Sequence, residues 1–374
     1  MTPLDQRRRI GIEHEFKLFV GGRSVDARTI LGGLDGLGRR LDPDDAHAVR
    51  GAWGGVITCD ERELEVVTPP AVLGPGAIRR VVGFSIAGRE ALTAALPAGH
   101  VLSGYSTHLN VEVDDRRVCR VAKIIAERCA PALMLALDRP DSPGLIVRPR
   151  NRRLELGGEY ASGAQLRAAL TMAAGVAALA EHSLSDRRLR SRLPPSLQVQ
   201  LQPSPQRFGW YVDRRAYGPD LYAAGRRTVL RCRNGSTTSA HDVLRATWTA
   251  ARPEVEEWSD EDDLRLVDEM VDGSHALPVD RRDDDGGVHS CHGVSLIEPW
   301  RRGSTTVTVT AATWRTVVMR VDGPARSHWL TVAGDRVEEF VEALERGALD
   351  GWLTAGPARR GSERQGRRKV LTSG

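Results

Sequence analysis

Ile10-Gly-Ile-Glu-His-Glu-Phe-Lys-Leu-Phe-Val20 alternates with a period of two. Ile10, Ile12, Phe16, Leu18 and Val20 fall on one face, interrupted by His14, while Gly11, Glu13, Glu15, Lys17 and Phe19 take the other. A strand that is apolar on one side and acidic on the other belongs to a half-buried sheet, so helices or a second layer must cover the apolar side.

The neighbouring sequence supplies both. Val56–Thr58 and Leu64–Val67 read as short strands around the turn Asp60–Arg62, and Pro69 and Pro70 end the second. Tyr105–Val113 alternates again, with Thr107, Leu109, Val111 and Val113 opposite Ser106, His108, Asn110 and Glu112. Leu145–Leu156 should be extended. Helices are expected over Ala27–Leu41 despite its glycines, Ala77–Leu96, Arg116–Leu137 with a perturbation at Pro131, and Gln165–Arg190. Short connections between strands favour antiparallel pairing, which makes the fold class α+β. Beyond Leu193, Pro194–Pro205 reads as a loop, and Ala240–Ala251, Glu261–Val271 (behind a Ser259 cap) and Asp335–Leu349 as helices. Thr305–Arg320 and Trp329–Val332 read as late strands. A single domain is expected over 1–355, its informative half spanning 9–193 and its remainder 194–355, with a disordered tail at 356–374.

Composition excludes several functions. Lys+Arg number 53 against 49 Asp+Glu, a formal charge of +4, too small an excess for a nucleic-acid binder. The 5 cysteines are scattered without a CxxC pair, so neither a disulfide framework nor a structural zinc site is expected. Met1–Arg9 has no apolar core of a secretory signal, and the apolar run Leu166–Ala180 reads as a buried helix, so no membrane partner and a cytoplasmic location are expected. No GxGxxG or GxxxxGK[ST] follows a strand.

The acids carry the functional signal. Glu13 with Glu15, Glu63 with Glu65, His108 with Asn110 and Glu112, and Arg153 with Glu155 each share a strand face, and Asp60 precedes the second pair. If these faces meet, Glu13, Glu15, Asp60, Glu65 and Glu155 bring up to five negative charges together. A like-charged pair at ~4 Å costs about 4 kcal/mol at an effective dielectric near 20. Such a cluster persists when carboxyls protonate, arginines intercalate or divalent cations bind. Oxygen ligands with one histidine suit Mg²⁺ or Mn²⁺, and cations so held commonly bridge nucleotide phosphates.

The same residues resemble a family. Ile10-Gly-Ile-Glu-His-Glu-Phe16 is similar to the G-x-E-x-E-F strand of the glutamate–cysteine ligase type 2 group of carboxylate–amine ligases, within the glutamine synthetase superfamily. Asp60-Glu-Arg-Glu-Leu-Glu-Val-Val-Thr-Pro-Pro70 resembles its acid followed by L-E-x-x-T-P-P, Ser106–Val113 its H-[IV]-H-V strand, and Arg152-Arg-Leu-Glu-Leu156 its R-x-[IL]-E-[FIV]-R strand. The resemblance implies a curved, mainly antiparallel sheet forming an active-site cup backed by helices. It implies that Glu15, Asp60 and Glu65 hold one metal, and that Glu13, His108 and Glu155 hold a second that bridges ATP phosphates. Arg153 would face the phosphoryl group in transit, Asn110 would stand where the family has a second histidine, and Thr68 would border the substrate carboxylate. Gly157 replaces the arginine expected after the last glutamate, and Arg148, Arg150 or Arg152 could supply that charge to the nucleotide.

The implied chemistry is ATP- and Mg²⁺- or Mn²⁺-dependent: a substrate carboxylate, quite naturally that of glutamate or another amino acid, becomes an acyl phosphate, and an amine displaces phosphate to leave an amide. The partners expected are a small amino acid and an amine, with a homo-oligomer in keeping with related architectures. Two other readings share the site, a small-molecule kinase of the guanidino type and a non-catalytic nucleotide or metabolite binder, which Asn110 and Gly157 keep open. Glu63 and Glu112 read as solvated strand residues, His14 as a core histidine, His289–Cys291–His292 as a surface loop, and Trp258, Trp300, Trp314 and Trp329 as core or interface.

Overall fold

The computed structural model describes residues 8–34, 36–42, 45–60, 62–140, 142–200, 202–203, 210–280, 300–312, 316–324, 326–333, 336, 339–340, 343–344 and 346–349. Its first strand, β1 (Arg9–Val20), is followed by β2 (Arg23–Val25), the one-turn α1 (Arg28–Leu31), β3 (Gly38–Asp42), β4 (Asp45–Gly51), β5 (Val56–Asp60), β6 (Glu63–Val67) and β7 (Ala71–Val72). Next come α2 (Ala77–Ala95), β8 (His100–Glu112), α3 (Val118–Ile124), α4 (Ala130–Leu137), the hairpin β9 (Gly144–Arg150) and β10 (Arg153–Glu159), α5 (Gly163–His182) and α6 (Arg187–Arg192). The chain continues through β11 (Gln202–Pro203), β12 (Trp210–Asp213), α7 (Leu221–Ala224), β13 (Val229–Arg231), β14 (Thr237–Ser239), α8 (Ala240–Ala251) and α9 (Glu261–Asp272).

These strands form a 12-stranded sheet in the order β11-β12-β9-β10-β8-β1-β6-β5-β4-β3, with β2 and β7 also pairing β1. Every pairing in it is antiparallel. The protein is therefore a mixture of helices and antiparallel sheet, as the alternation predicts. Ile10, Ile12, Phe16 and Leu18 of β1, Leu64 and Val66 of β6, Leu109 and Val111 of β8, and Leu154 and Leu156 of β10 are all buried on one face. Helix α2 packs on β1 and β6, α5 on β8, and α3 and α4 on β9 and β10. Burying a leucine or isoleucine side chain in this layer contributes ~1.5–3 kcal/mol, so the register that keeps these residues inward also keeps the acids on the opposite face.

His14 is 2% exposed on the apolar side, with its ring 5.0 Å from that of Tyr160. α5 is long and apolar enough by composition to cross a membrane, yet it is buried against α4, α8 and α9.

Three expectations need correction. The segment 27–41 is a single turn of helix followed by β3, because Gly32, Gly33, Gly36 and Gly38 offer little to hold a helix and Gly36 turns at φ 80°. The helix expected over 165–190 is two, broken where the Asp186 carboxylate accepts from Arg188 N–H and caps α6. α9 has Asp260 at its N-cap, and the hydroxyl of Ser259 is buried without a partner among the described residues. The perturbation expected at Pro131 is a π-helical turn over Ile125–Cys129. Proline offers no N–H to the carbonyls of Ala126 and Glu127, and both are served from elsewhere: Tyr217 Oη donates to Ala126 O at 2.6 Å and Leu197 N–H to Glu127 O at 2.8 Å.

The chain divides into two compact units, Met1–Ser204 with Gly209–Val294, and Pro205–Phe208 with Ser295–Gly374, where the sequence suggests one domain to 355. The second contains a 4-stranded antiparallel sheet, β15 (Trp300–Arg302), β16 (Thr305–Ala312), β17 (Thr316–Asp322) and β18 (Ser327–Ala333). Val307, Met319, Val321, Leu330, Val332, Phe340 and Leu344 form its core. The His289–Cys291–His292 cluster, Trp314 and the tail 356–374 lie outside the described residues, as does part of the helix expected over 335–349.

Candidate functional site

Register brings the polar side chains together. Glu13 on β1 lies directly opposite His108 on β8, and Glu15 opposite Glu65 on β6. One strand further, Glu155 on β10 pairs with Asn110 on β8 and with Arg148 on β9. Residues directly opposed across antiparallel strands share a face, so strands distant in sequence contribute to one polar surface. Ligand atoms of Glu13, Glu65 and His108 all lie within 4.8 Å of one another.

The imidazole of His108 is central. Its Nδ1 is 3.5 Å from Glu13 Oε2 and 3.6 Å from Glu155 Oε1, and its Nε2 is 3.9 Å from Glu15 Oε1. Burial would lower the His108 pKa, but Glu15, Glu13 and Glu155 outweigh it and lift the ring to about 10. Burial pushes the Glu65 carboxyl well above its ordinary range, and the charges of Glu13 and Glu15 push it further. Burial raises Glu15 too, opposed by His108 and by the Ser106 hydroxyl, which donates to Glu15 Oε2 at 2.6 Å. Asp60, on β5 beside β6, adds to the negative field on Glu15 and Glu65.

Glu155 is fully buried and differently served. Arg148 and Arg150 each reach one of its oxygens at 2.7 Å. Burial opposes its ionisation, but these guanidinium groups and His108 prevail and hold the carboxyl down to about 2. Glu155 is thus a buried ion-paired anchor beside the acid cluster.

The residues fit a divalent cation. Two carboxylates and an imidazole at this spacing form the oxygen-rich donor set that Mg²⁺ or Mn²⁺ takes, and a doubly charged ion would favour the ionised form of a carboxyl whose neighbours oppose its ionisation. The resemblance sets Glu65 with Glu15 and Asp60, and Glu13 with His108 and Glu155, and His108 Nδ1 faces both Glu13 and Glu155. Here Glu13, Glu65 and His108 converge, while Glu155 is occupied by arginines.

The residues expected at a nucleotide are also engaged. Thr68 is buried, and its Oγ1 accepts from Ile12 N–H at 2.9 Å, extending the sheet past the end of β6. Arg150 is committed to Glu155. Arg152 donates to Glu112 Oε1 at 3.1 Å. Arg153 is looser, its guanidinium 3.8 Å from Glu13 Oε1 and its side chain 44% exposed. Glu112, expected to be solvated, accepts from both Arg152 and the Arg9 N–H.

Beside the cluster opens a cavity of ≈ 310 Å³, whose lining includes Gly11, Glu13, Thr68, Asn110, Arg152 and Arg153. Arg9 and Asn151 line it as well. Neither stood out in the sequence, although Arg9 extends the Gly11–Glu13 face of β1 by one further alternation.

No known protein family and no curated protein matches the chain. Among solved structures it is similar to a chain of the crystal structure of the complex between prokaryotic ubiquitin-like protein Pup and its ligase PafA, at 12% identity and a TM-score of 0.43, covering 98% of each chain.

Proposed function

We propose that the protein is an ATP- and divalent-cation-dependent carboxylate–amine ligase, the polar face of the large sheet serving as its active-site cup. The observation that carries the reading is the convergence of Glu13, Glu65 and His108 from three strands onto one point, flanked by Glu15, Asp60 and the arginine-held Glu155. A bound Mg²⁺ or Mn²⁺ would neutralise negative charge on a transferring phosphoryl group. Glu13, Glu65 and His108 would hold it, and Ser106 would keep Glu15 aimed at the same region.

Arg153 is free enough to follow that charge, since its contact with Glu13 is longer than a hydrogen bond. Arg148 and Arg150 fix Glu155 and so present a rigid positive wall behind His108. Activation of an amino-acid carboxylate, such as that of glutamate, as an acyl phosphate followed by attack of an amine needs positioning and charge neutralisation rather than a protein nucleophile. The expected cytoplasmic setting and small-molecule partners are part of the same proposal.

The test is ADP release from ATP that requires both an amino acid and an amine, together with hydroxamate formation when hydroxylamine replaces the amine. Hydroxamate marks the acyl phosphate. ADP without hydroxamate would instead assign a small-molecule kinase, and metal-dependent ATP binding without ADP release a non-catalytic binder.

A further inference from the structure

Two residues in this region sit at a cost to the folded protein, and both line the same cavity. Asn110 is 8% exposed, and its amide oxygen is buried without a hydrogen-bond partner among the described residues. A buried polar atom left unpaired is destabilising, and cores rarely retain one without a reason. Arg152, in the two-residue turn between β9 and β10, has φ 58°, the one non-glycine with positive φ among the described residues. A long side chain in that region is strained, and such strain clusters where a ligand is clamped. Its surroundings hold it there: Arg152 N–H donates to Asp115 Oδ1 at 2.9 Å, Val113 N–H donates to Arg152 O at 3.0 Å, and the guanidinium lies on Glu112.

We propose that the cleft between the start of β1, the end of β8 and the β9–β10 turn binds a small ligand carrying an oxyanion, carboxylate or phosphate, next to a hydrogen-bond donor. Arg9, Arg152 and Arg153 receive the oxyanion, and the amide oxygen of Asn110 accepts from the donor, an ammonium or hydroxyl group. The volume of ≈ 310 Å³ suits an amino acid or a sugar phosphate. Arginine's planar fork matches either oxyanion, so the shared chemistry is what the cleft recognises. This proposal deepens the ligase reading and rests on it in taking the cleft, which shares Glu13 with the acid cluster, as the seat of that reaction's anionic reactant.

The test uses the full chain with Asn110→Leu and Arg152→Gly. Each substitution removes the local cost: leucine is apolar and of similar size, and glycine adopts positive φ freely. Both variants are therefore expected to melt at or above the wild-type temperature while losing ligand. Calorimetric titrations compare L-glutamate with glutarate, which lacks the ammonium group, and ribose 5-phosphate with inorganic phosphate, which lacks the sugar hydroxyls.

In the wild type one donor-bearing probe should bind at least tenfold more tightly than its simpler counterpart. Asn110→Leu should erase that difference, and Arg152→Gly should weaken both members of the pair tenfold or more. A preference within the first pair assigns a carboxylate ligand, within the second a phosphate. Absence of binding by all four probes, affinities unchanged in both variants, or a clear fall in either melting temperature overturns the proposal. Wild-type ADP release separates the two readings. If it is absent while probe binding follows this pattern, the ligase reading fails and the cleft stands; if it is intact in both variants, the cleft assignment alone fails.

Discussion

The ring of His108 lies against Gly157, its cross-strand partner, so closely that a Cβ at position 157 would stand 2.7 Å from His108 Cδ2 and 3.0 Å from Nε2. Ile146 bounds the same space, with its Cβ at 3.3 Å. The absence of a side chain at Gly157 therefore sets where the imidazole stands between Glu13, Glu15 and Glu155. It also gives a physical reason why the arginine that the resemblance leads one to expect there is missing: no side chain fits, and Arg148 on the neighbouring strand reaches Glu155 instead.

Gly157→Ala should displace the ring and cost about 1–3 kcal/mol of stability as an overpacked site. Its sharper effect should be on metal, with Mn²⁺ affinity falling roughly 10–100-fold, as when a ligand's support is removed. Urea denaturation and a Mn²⁺ titration followed by electron paramagnetic resonance measure the two. Unchanged affinity alongside lost stability would remove His108 from the ligand set.

Glu65→Gln tests the acid cluster from the other side. Because burial and the charges of Glu13 and Glu15 oppose its ionisation, the amide should leave the metal-free protein as stable as the wild type or more so at pH 8. With Mn²⁺ at 100 times its dissociation constant the wild type should gain ~2.7 kcal/mol, a gain that chelation reverses. The variant should gain less than a third of that in parallel thermal melts. An equal gain in both proteins would mean that Glu65 holds no cation.

Burial, reinforced by Arg89, lowers the His14 pKa from 6.5 to about 3. The unfolded chain then binds the extra proton first, so stability is complete above pH 6.5 and is lost as pH falls toward about 3. Inside that window the slope approaches ~1.4 kcal/mol per pH unit from this residue alone. His14→Leu, at a site packed against Phe16 and Tyr160, should flatten the curve relative to the wild type in denaturation series from pH 7.5 to 4.5. Parallel curves would show that His14 is protonated in the native protein.

Tyr217→Phe should cost about 1–3 kcal/mol, since it leaves the buried Ala126 carbonyl of the π turn with no donor. Equilibrium unfolding in urea reads the loss directly. No change would mean that the turn relaxes to recover another partner.

Much of the fold was legible because burial on one face imposes a strict alternation. β1, β6, β8 and β10 each bury alternate apolar residues under α2 to α5, and the register shifts once between β1 and β8, at Glu15/Phe16, where β8 takes up one extra residue. Two of the failures share a cause. In 27–41 and 183–186 a helical hydrophobic pattern continues across residues that prefer turns, and local chemistry, glycine in one and the Asp186 cap in the other, prevails over periodicity. Glu13, Glu65 and His108 could be found one strand at a time, since each stands out as a polar residue on an amphipathic strand. The cleft could not, because Arg9, Asn110 and Arg152 come from a strand start, a strand end and a hairpin turn whose adjacency depends on strand order.

The amino-acid sequence by itself determined which side chains face inward and which face outward, because that choice depends only on period and polarity along each strand. It also determined that several acids share the outward face. Tertiary structure decided their partners. Strand order put β8 between β1 and β10, so His108 stands among three carboxylates, Glu155 is claimed by Arg148 and Arg150, and Glu65 is left to meet Glu13. Charge interactions fall off with distance in space rather than along the chain, and only the folded sheet sets those distances.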